Sequence, residues 1–361
     1  MSLLSRRRIV WAVPAAMTGA VVTAGLLPGL ASGGGGGHLP DRTAAELLVA
    51  VQRSDVQHFS GTVVETARLG LPDLPGTDRA AALSWQSLIT GSHTFRVWAD
   101  GPEHQRIALL GQLAESDVVH DGTDLWTYTS STQEVTHATL PADRAHQPEP
   151  ASTEASLTPQ EAAAQALRAI DPSTEVTVDG TQVVAGRSAY TLSLTPRDTR
   201  STVRSVLIAV DGETSIPLRV QVFGQGVDAA FETGFTDVSL SRPSGSVFRF
   251  TPPTGATVKE SDLTGKPDSP SDPAHPDATA SAPTVLGNGW TSILRLQQPA
   301  PRAGAAPASS SVLDRLTTVL PNGDRLLTTA LVNALMTTDG RVFVGAVTPE
   351  LLQKAAAGAA G

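Results

Sequence analysis

The chain has 361 residues, 35 of them Asp or Glu and 26 Lys or Arg, for a net charge of −9. That balance argues against nucleic acid as a partner, because phosphates demand a basic face. No cysteine occurs, which excludes disulfide staples, thiolate metal sites and a lipid-modified N-terminal Cys, and leaves stability to core burial alone.

Arg6, Arg7 and Arg8 precede an apolar run from Ile9 to about Ala31, and glycines fill positions 33–37. A basic flank, an apolar stretch and small residues are the pattern of an export signal. Residues 1–37 are therefore expected to be an export signal or an N-terminal anchor with a Gly-rich segment. Ser5 to Val10 also loosely fits a twin-arginine signal, so both export routes stay open. The run is about as long as the ~20 residues of a membrane span, but Pro14, Gly19, Gly25, Pro28 and Gly29 interrupt it, which suits cleavage better. With or without cleavage, the basic residues hold the N-terminus inside and the rest lies outside the cytoplasm. The expected location is extracytoplasmic, secreted or anchored in the cell envelope, with an uncleaved N-terminus as the only attachment to the membrane.

Thr43-Ala44-Ala45-Glu46 is a capping-box pattern, and Leu47, Leu48 and Val51 follow at helical spacing, predicting a helix that ends near Gln57. Thr158-Pro159-Gln160-Glu161 repeats the device with Pro at the first helical position, where its missing N–H costs nothing. Ala162, Ala163, Ala166, Leu167 and Ile170 form the apolar stripe of this second helix, and Asp171-Pro172 ends it. Elsewhere the period is two. Phe95, Val97 and Ala99 alternate with polar or aromatic neighbours before Asp100-Gly101. Tyr190, Leu192 and Leu194 do the same, as do Val206, Ile208 and Val210 before Asp211-Gly212, and Leu218, Val220 and Val222 after it. Such runs, bounded by Asp-Gly turns, are hairpin signals. Roughly ten of them between Ser60 and Phe250 predict an α+β fold with one large antiparallel sheet in a meander and the helices on one face.

From Ser261 to Pro283 the composition shifts to Pro, Asp, Ser and Ala, the signature of a linker. Pro299 to Ser311 is a similar insert. Beyond it Leu326 to Met336 is apolar, Thr338-Asp339-Gly340 is a turn, Val342 to Val347 reads as a strand, and Thr348-Pro349-Glu350 starts a terminal helix. The expected division is 41–258 for the main domain, 259–288 for the Pro/Asp/Ser-rich linker, and 289–361 for a small C-terminal module with a flexible insert at 299–311. That module is too short to bury enough surface alone without disulfides or metal, so it is expected to pack on the main domain or on a partner.

The search for chemistry finds no G-x-S-x-G, no H-E-x-x-H and no P-loop. The eight histidines are scattered, and His120-Asp121 beside Asp124 reads as an Asp-Gly turn rather than a metal site. Gly224 to Ala229 matches a dinucleotide fingerprint by letter, but the motif needs a helix after it. Phe231 to Leu240 alternates like a strand, so a hairpin loop is the better reading. No enzyme, metal or cofactor is expected. Trp98 and Trp126 fall in predicted strands, and Trp85 and Leu88 lie in a short amphipathic piece. Together with Leu167 on the second helix and Phe223 at a strand end, they are the candidate lining of an apolar pocket between the sheet and the two helices.

The chain resembles the LolA-like superfamily of lipoprotein carriers and their relatives, over roughly Thr43 to Val258. Phe59-Ser60-Gly61-Thr62-Val63-Val64 is similar to the first-strand entry of that group. Asp121-Gly122-Thr123-Asp124-Leu125-Trp126-Thr127-Tyr128 resembles its recurrent D-G-x-x-x-W-x-Y strand. Asp211 to Val220 looks like its D-x-x-T-x-x-P hairpin, and Ser246 to Phe250 with Pro252 and Pro253 like its closing strand. More particularly, the chain looks like an actinobacterial branch of this group. The resemblance implies a half-open β-barrel with a helical lid over an apolar cavity. An arginine on the barrel wall helps such carriers hold their cargo, and no motif places its equivalent here. The small second domain is not part of a minimal carrier and is a feature of the stress-sensor relatives of the RseB/MucB type.

Two functions follow from that resemblance. The leading one is a non-enzymatic envelope protein that binds a lipid or a lipoprotein acyl chain as carrier or chaperone. The alternative is a regulatory envelope sensor that binds a membrane protein such as an anti-sigma factor.

Overall fold

A computed structural model describes residues 39–71, 91–111, 114–140, 158–168, 170, 172–262, 283–297 and 316–358. The expected export signal, Trp85, Leu88 and the insert at 299–311 lie outside the described residues.

Helix α1 (Ala44–Gln52) opens with the expected capping box. The Thr43 N–H donates to the Glu46 carboxylate at 2.7 Å, and the Glu46 N–H donates to Thr43 Oγ1 at 3.2 Å. It is shorter than the sequence pattern predicts. Arg53 already takes the C-cap position, and strand β1 (His58–Ala67) follows after a short turn. The apolar stripe that suggests helix to Gln57 stops at Val51, so no further burial draws the next turn into the helix. Strands β2 (Gly91–Asp100), β3 (His104–Leu110), β4 (Glu115–Asp121), β5 (Asp124–Thr129) and β6 (Glu134–Thr139) continue from β1 as an antiparallel meander.

Helix α2 (Pro159–Arg168) repeats the capping device through Thr158 and Glu161. A second meander follows: β7 (Thr174–Val184), β8 (Arg187–Pro196), β9 (Ser205–Asp211), β10 (Pro217–Phe223) and β11 (Ala229–Ser239). The dinucleotide look-alike is the loop between β10 and β11, as the hairpin reading expects. The two meanders join because β11 pairs with β1. Gly61 makes that join possible: a Cβ there would collide with the Asp237 carbonyl and press on the Phe235 ring.

The segment that resembles a closing strand takes another form. Gly245–Val247 is a 3₁₀ turn, and the last strand, β12 (Thr257–Asp262), comes later and pairs parallel with β6. The result is one open sheet of twelve strands in the order β12-β6-β5-β4-β3-β2-β1-β11-β10-β9-β8-β7. It is antiparallel throughout except at β12, and it does not close, as a half-open barrel requires. Apolar residues of α1 and α2 share a core with β8, β9 and β10. Leu47, Ala163, Leu192, Leu194, Ile208 and Val210 are fully buried there, each large aliphatic side chain contributing ~1.5–3 kcal/mol.

The C-terminal module is a second sheet of six strands in the order β13-β14-β18-β17-β16-β15. They are β13 (Thr284–Leu286), β14 (Ile293–Gln297), β15 (Thr317–Val319), β16 (Arg325–Thr328), β17 (Asn333–Met336) and β18 (Arg341–Gly345). Helix α3 (Pro349–Ala356) packs on it through Leu352 and Ala355. Strand β12 and strand β13 thus extend into the two ends of the segment read as a linker.

Candidate functional site

Of the predicted lining residues, the four that are described, Trp98, Trp126, Leu167 and Phe223, do not gather round one pocket. Leu167 is half-buried at the margin of the helix-covered core. Phe223 ends β10, with the Arg204 guanidinium 5.6 Å from the centre of its ring. Trp98 and Trp126 belong to one cross-strand row, Ser60–Trp98–Arg106–Val119–Trp126–His137. Residues directly opposite one another share a face of the sheet. Along β1, Ser60 alternates with Val63 and Glu65, and Glu65 opposes Thr233, which opposes Val220 in the helix-covered core. The two tryptophans therefore sit on the side of the sheet away from α1 and α2.

That far side is polar and aromatic. The Trp98 ring lies between Arg96, at 5.0 Å, and Arg106, at 5.4 Å. Arg106 also donates from Nε to Asp117 Oδ1 at 3.0 Å and from Nη1 to the Val247 carbonyl at 3.4 Å, pinning the 3₁₀ turn. Burial and the neighbouring Asp117 charge push the Glu115 carboxyl above its ordinary value, with Arg106 and Arg96 opposing them. Trp126 stacks on His137 at 3.9 Å, and Phe250 packs 5.5 Å from the same indole. Among the described residues, no cluster of three or more His, Asp or Glu is arranged to hold a metal ion.

A different feature brings the two sheets together. A cavity of about 290 Å³ lies between Pro172, Ser173, Asp198 and Arg200 of the main domain and Asn288, Trp290 and Thr291 of the small module. The Trp290 indole N–H donates to Thr174 Oγ1 at 2.7 Å. Arg200 grips Asp198, with Nη2 donating to Oδ2 at 2.7 Å, and hydrogen bonds from Arg200 hold the Asp198 carboxyl below its ordinary value. Sequence reasoning misses this site because its walls come from three separate segments, the last of them, at Asn288, Trp290 and Thr291, in the second module. The one available signal is Trp290 at the start of the second module.

Around the cavity the small sheet is docked by its backbone. The Thr202 N–H donates to the Ala346 carbonyl at 3.0 Å, the Thr348 N–H to the Arg200 carbonyl at 2.9 Å, and the Ala330 N–H to the Leu69 carbonyl at 2.9 Å. Thr202 Oγ1 donates to the Leu331 carbonyl. Leu331 enters the helix-covered core, with Trp290, Ala330, Val332 and Ala346 packed beside it. The module thus packs on the main sheet, and the cleft is a consequence of that docking.

Comparison with known proteins agrees with the motif reading. Residues 85–255 match the family model of the MucB/RseB N-terminal domain. Among solved structures, the Pseudomonas aeruginosa MucA/MucB complex is similar at 16% identity, covering 86% of this chain and 96% of that one, with a TM-score of 0.42. An uncharacterized conserved protein from Thermus thermophilus is similar at 13% identity, covering 60% and 99%, with a TM-score of 0.34. The Mycobacterium tuberculosis lipoprotein LppX follows at 14% identity, covering 52% and 91%, with a TM-score of 0.30. No curated protein sequence matches the chain. Residues 85–255 are thus similar to the MucB/RseB N-terminal domain.

Proposed function

We propose that this chain is a non-enzymatic binding protein of the cell envelope that engages an extracytoplasmic polypeptide segment of a membrane protein. This is the regulatory function that the sequence resemblance implies, and an anti-sigma factor is one such partner. The observation that carries it is the polar cleft shared by the two sheets. An indole, an ion pair and a side-chain amide meet there, and a site built from two modules responds to any change in how they dock. Export through residues 1–37 would place the cleft outside the cytoplasm. Among the described residues, no helix is long and apolar enough to cross a membrane. We take 41–258 as the main binding domain and 289–361 as the module that completes the cleft.

A second reading, carriage of a lipid or lipoprotein acyl chain, draws support from the helix-covered side. Leu48, Val51, Leu167, Ile170, Val176 and Val178 remain only half-buried around that core. They offer apolar surface worth ~25 cal/mol per Å² to an acyl chain that slides beneath the helices.

A photo-crosslinking residue at Asn288, in the full-length protein expressed in its own host, separates the two. The expected product is a crosslink to one membrane protein, mapped by mass spectrometry to its extracytoplasmic part. Native mass spectrometry of the same protein, before and after organic extraction, supplies the other arm. A stably retained lipid with no polypeptide crosslink at Asn288 overturns the first reading and supports the second.

A further inference from the structure

We propose that His137 is a protonation-dependent clamp that fixes strand β12 to the edge of the large sheet. The imidazole lies between two carboxylates from two different strands. Its Nε2 meets Asp124 Oδ1 of β5 at 2.7 Å, and its Nδ1 meets Glu260 Oε2 of β12 at 2.8 Å. Carboxylate oxygens only accept hydrogen bonds, so both ring nitrogens must carry a proton to satisfy the pair. A neutral imidazole has one N–H and one lone pair. On deprotonation, one of the two contacts turns from a charge-assisted hydrogen bond into a repulsion between lone pairs.

The surroundings favour the charged ring and decide which contact goes. Trp126 covers one face of the imidazole at 3.9 Å and 16° between planes, a cation–π arrangement when the ring is protonated. Asp124 and Glu260 are the charged groups that face it, from β5 and β12. Phe250, beyond the 3₁₀ turn, brings no charge to the Trp126 ring it packs against. Burial lowers the His137 pKa, but the hydrogen bonds and charges of Asp124 and Glu260 outweigh it and hold it above the ordinary histidine value. Glu260 is 72% exposed against 48% for Asp124, so water solvates Glu260 at least cost and that contact is the one released.

Strand β12 is suited to such control. It has one neighbour, β6, and pairs with it in parallel, the weaker geometry per residue. Besides the ladder it is held by His137–Glu260 and by the exposed Lys259–Glu134 pair, and exposed pairs contribute little. The folded-state pKa is raised, so the clamp is fully engaged below the ordinary histidine value and is lost as pH rises through the folded value. Acid tightens β12, and a pH above the folded value loosens it and frees the edge of β6. β12 is also the strand that leads towards the second sheet, so its release changes what tethers the module completing the cleft.

The test is amide hydrogen exchange of Thr257–Asp262 in the full chain, corrected for intrinsic exchange, at pH 5.5 and 8.5. Wild type should lose protection at the higher pH, because the raised pKa couples protonation of His137 to the docked strand. His137→Gln should show low protection with no such pH dependence. Glu260→Gln, whose amide can accept or donate, keeps the strand in place and should flatten the dependence. Wild-type protection that is the same at both pH values, or an equal loss in Glu260→Gln, overturns the clamp.

Discussion

Gly224, at the start of the loop between β10 and β11, faces the Ala330 carbonyl of the small sheet so closely that a Cβ would collide with it. The two modules meet here with no side chain between them. Ala330 also donates its N–H to the Leu69 carbonyl at 2.9 Å, and Leu331 beside it enters the helix-covered core. The glycine is therefore required by the approach of one backbone to another rather than by its own torsion angles.

Gly224→Val should push Ala330 away and loosen the docked module while leaving each sheet intact. Overpacking of this kind costs about 1–3 kcal/mol. Limited proteolysis should then cut between residues 263 and 282 faster than in wild type, and the urea midpoint should fall. An unchanged cleavage rate would mean that the junction contributes nothing to holding the module.

Arg187 and Asp211 form the most deeply held ion pair among the described residues. Arg187 Nε and Nη2 donate to the two Asp211 oxygens at 2.7 and 2.9 Å, and Thr214 donates from both N–H and hydroxyl to the same carboxylate. Asp211 is 1% exposed. Burial raises its pKa, but the bonds from Arg187 and Thr214 outweigh this and hold it below the ordinary value. Arg187→Met leaves a buried carboxylate without its counter-ion, which costs about 3 kcal/mol, at the low end because Arg187 is a quarter exposed. A lowered folded pKa makes the stabilisation present above the unfolded value of about 3.9 and lost as pH falls through the folded one. Thermal melts from pH 7 to pH 3 should show wild type losing stability on acidification and the variant losing less. Equal slopes would contradict the assignment.

Local order was legible in the sequence wherever a short-range rule fixes it. Thr43 and Thr158 each sit three residues before a Glu, and both boxes form. Asp121-Gly122 turns between β4 and β5, and Gly224 to Ala229 is a hairpin loop. The join of β1 to β11 was not legible, because it links residues about 170 positions apart and depends on Gly61 clearing Asp237 and Phe235. Alternation places Trp98 and Trp126 on one face, but not on which face the helices lie. That follows from the opposite parity of Glu65, which opposes Thr233 and through it Val220 of the helix-covered core. The aromatic run at Phe248 and Phe250 reads as a strand. It instead follows a 3₁₀ turn and lies against the sheet, with Phe248 fully buried and Phe250 packed on Trp126 and Tyr128. The cleft at Trp290 follows from docking and has no local signal at all.

Thr158→Ala removes the cap of α2. The Thr158 hydroxyl accepts from the Glu161 N–H at 3.3 Å, and the Glu161 carboxylate accepts from the Thr158 N–H at 2.9 Å. The loss should be about 1 kcal/mol. Ala162 and Ala163 of this helix are buried against the sheet, so fraying its first turn should raise exchange there while β1 to β6 stay protected. Thr158→Ser should restore most of the loss, since a hydroxyl remains to accept the bond. A Ser variant as weak as Ala would show that the methyl group, not the cap, matters.

Removing residues 284–361 tests the docking from the other side. The truncated chain loses Leu331, Trp290, Ala330, Val332 and Ala346 from the helix-covered core, and with them the backbone bonds at Leu69, Arg200 and Thr202. One buried aliphatic side chain contributes ~1.5–3 kcal/mol and each net hydrogen bond about 1 kcal/mol. The main domain should therefore lose on the order of 3 kcal/mol or more and melt several degrees lower. Thr174 and Arg200 would face solvent, and crosslinking from Asp198 to the polypeptide partner should disappear with Trp290 and Asn288. A truncated chain with an unchanged melting temperature and an unchanged crosslink would show that the large sheet is complete by itself and that the cleft between the modules is not the binding site.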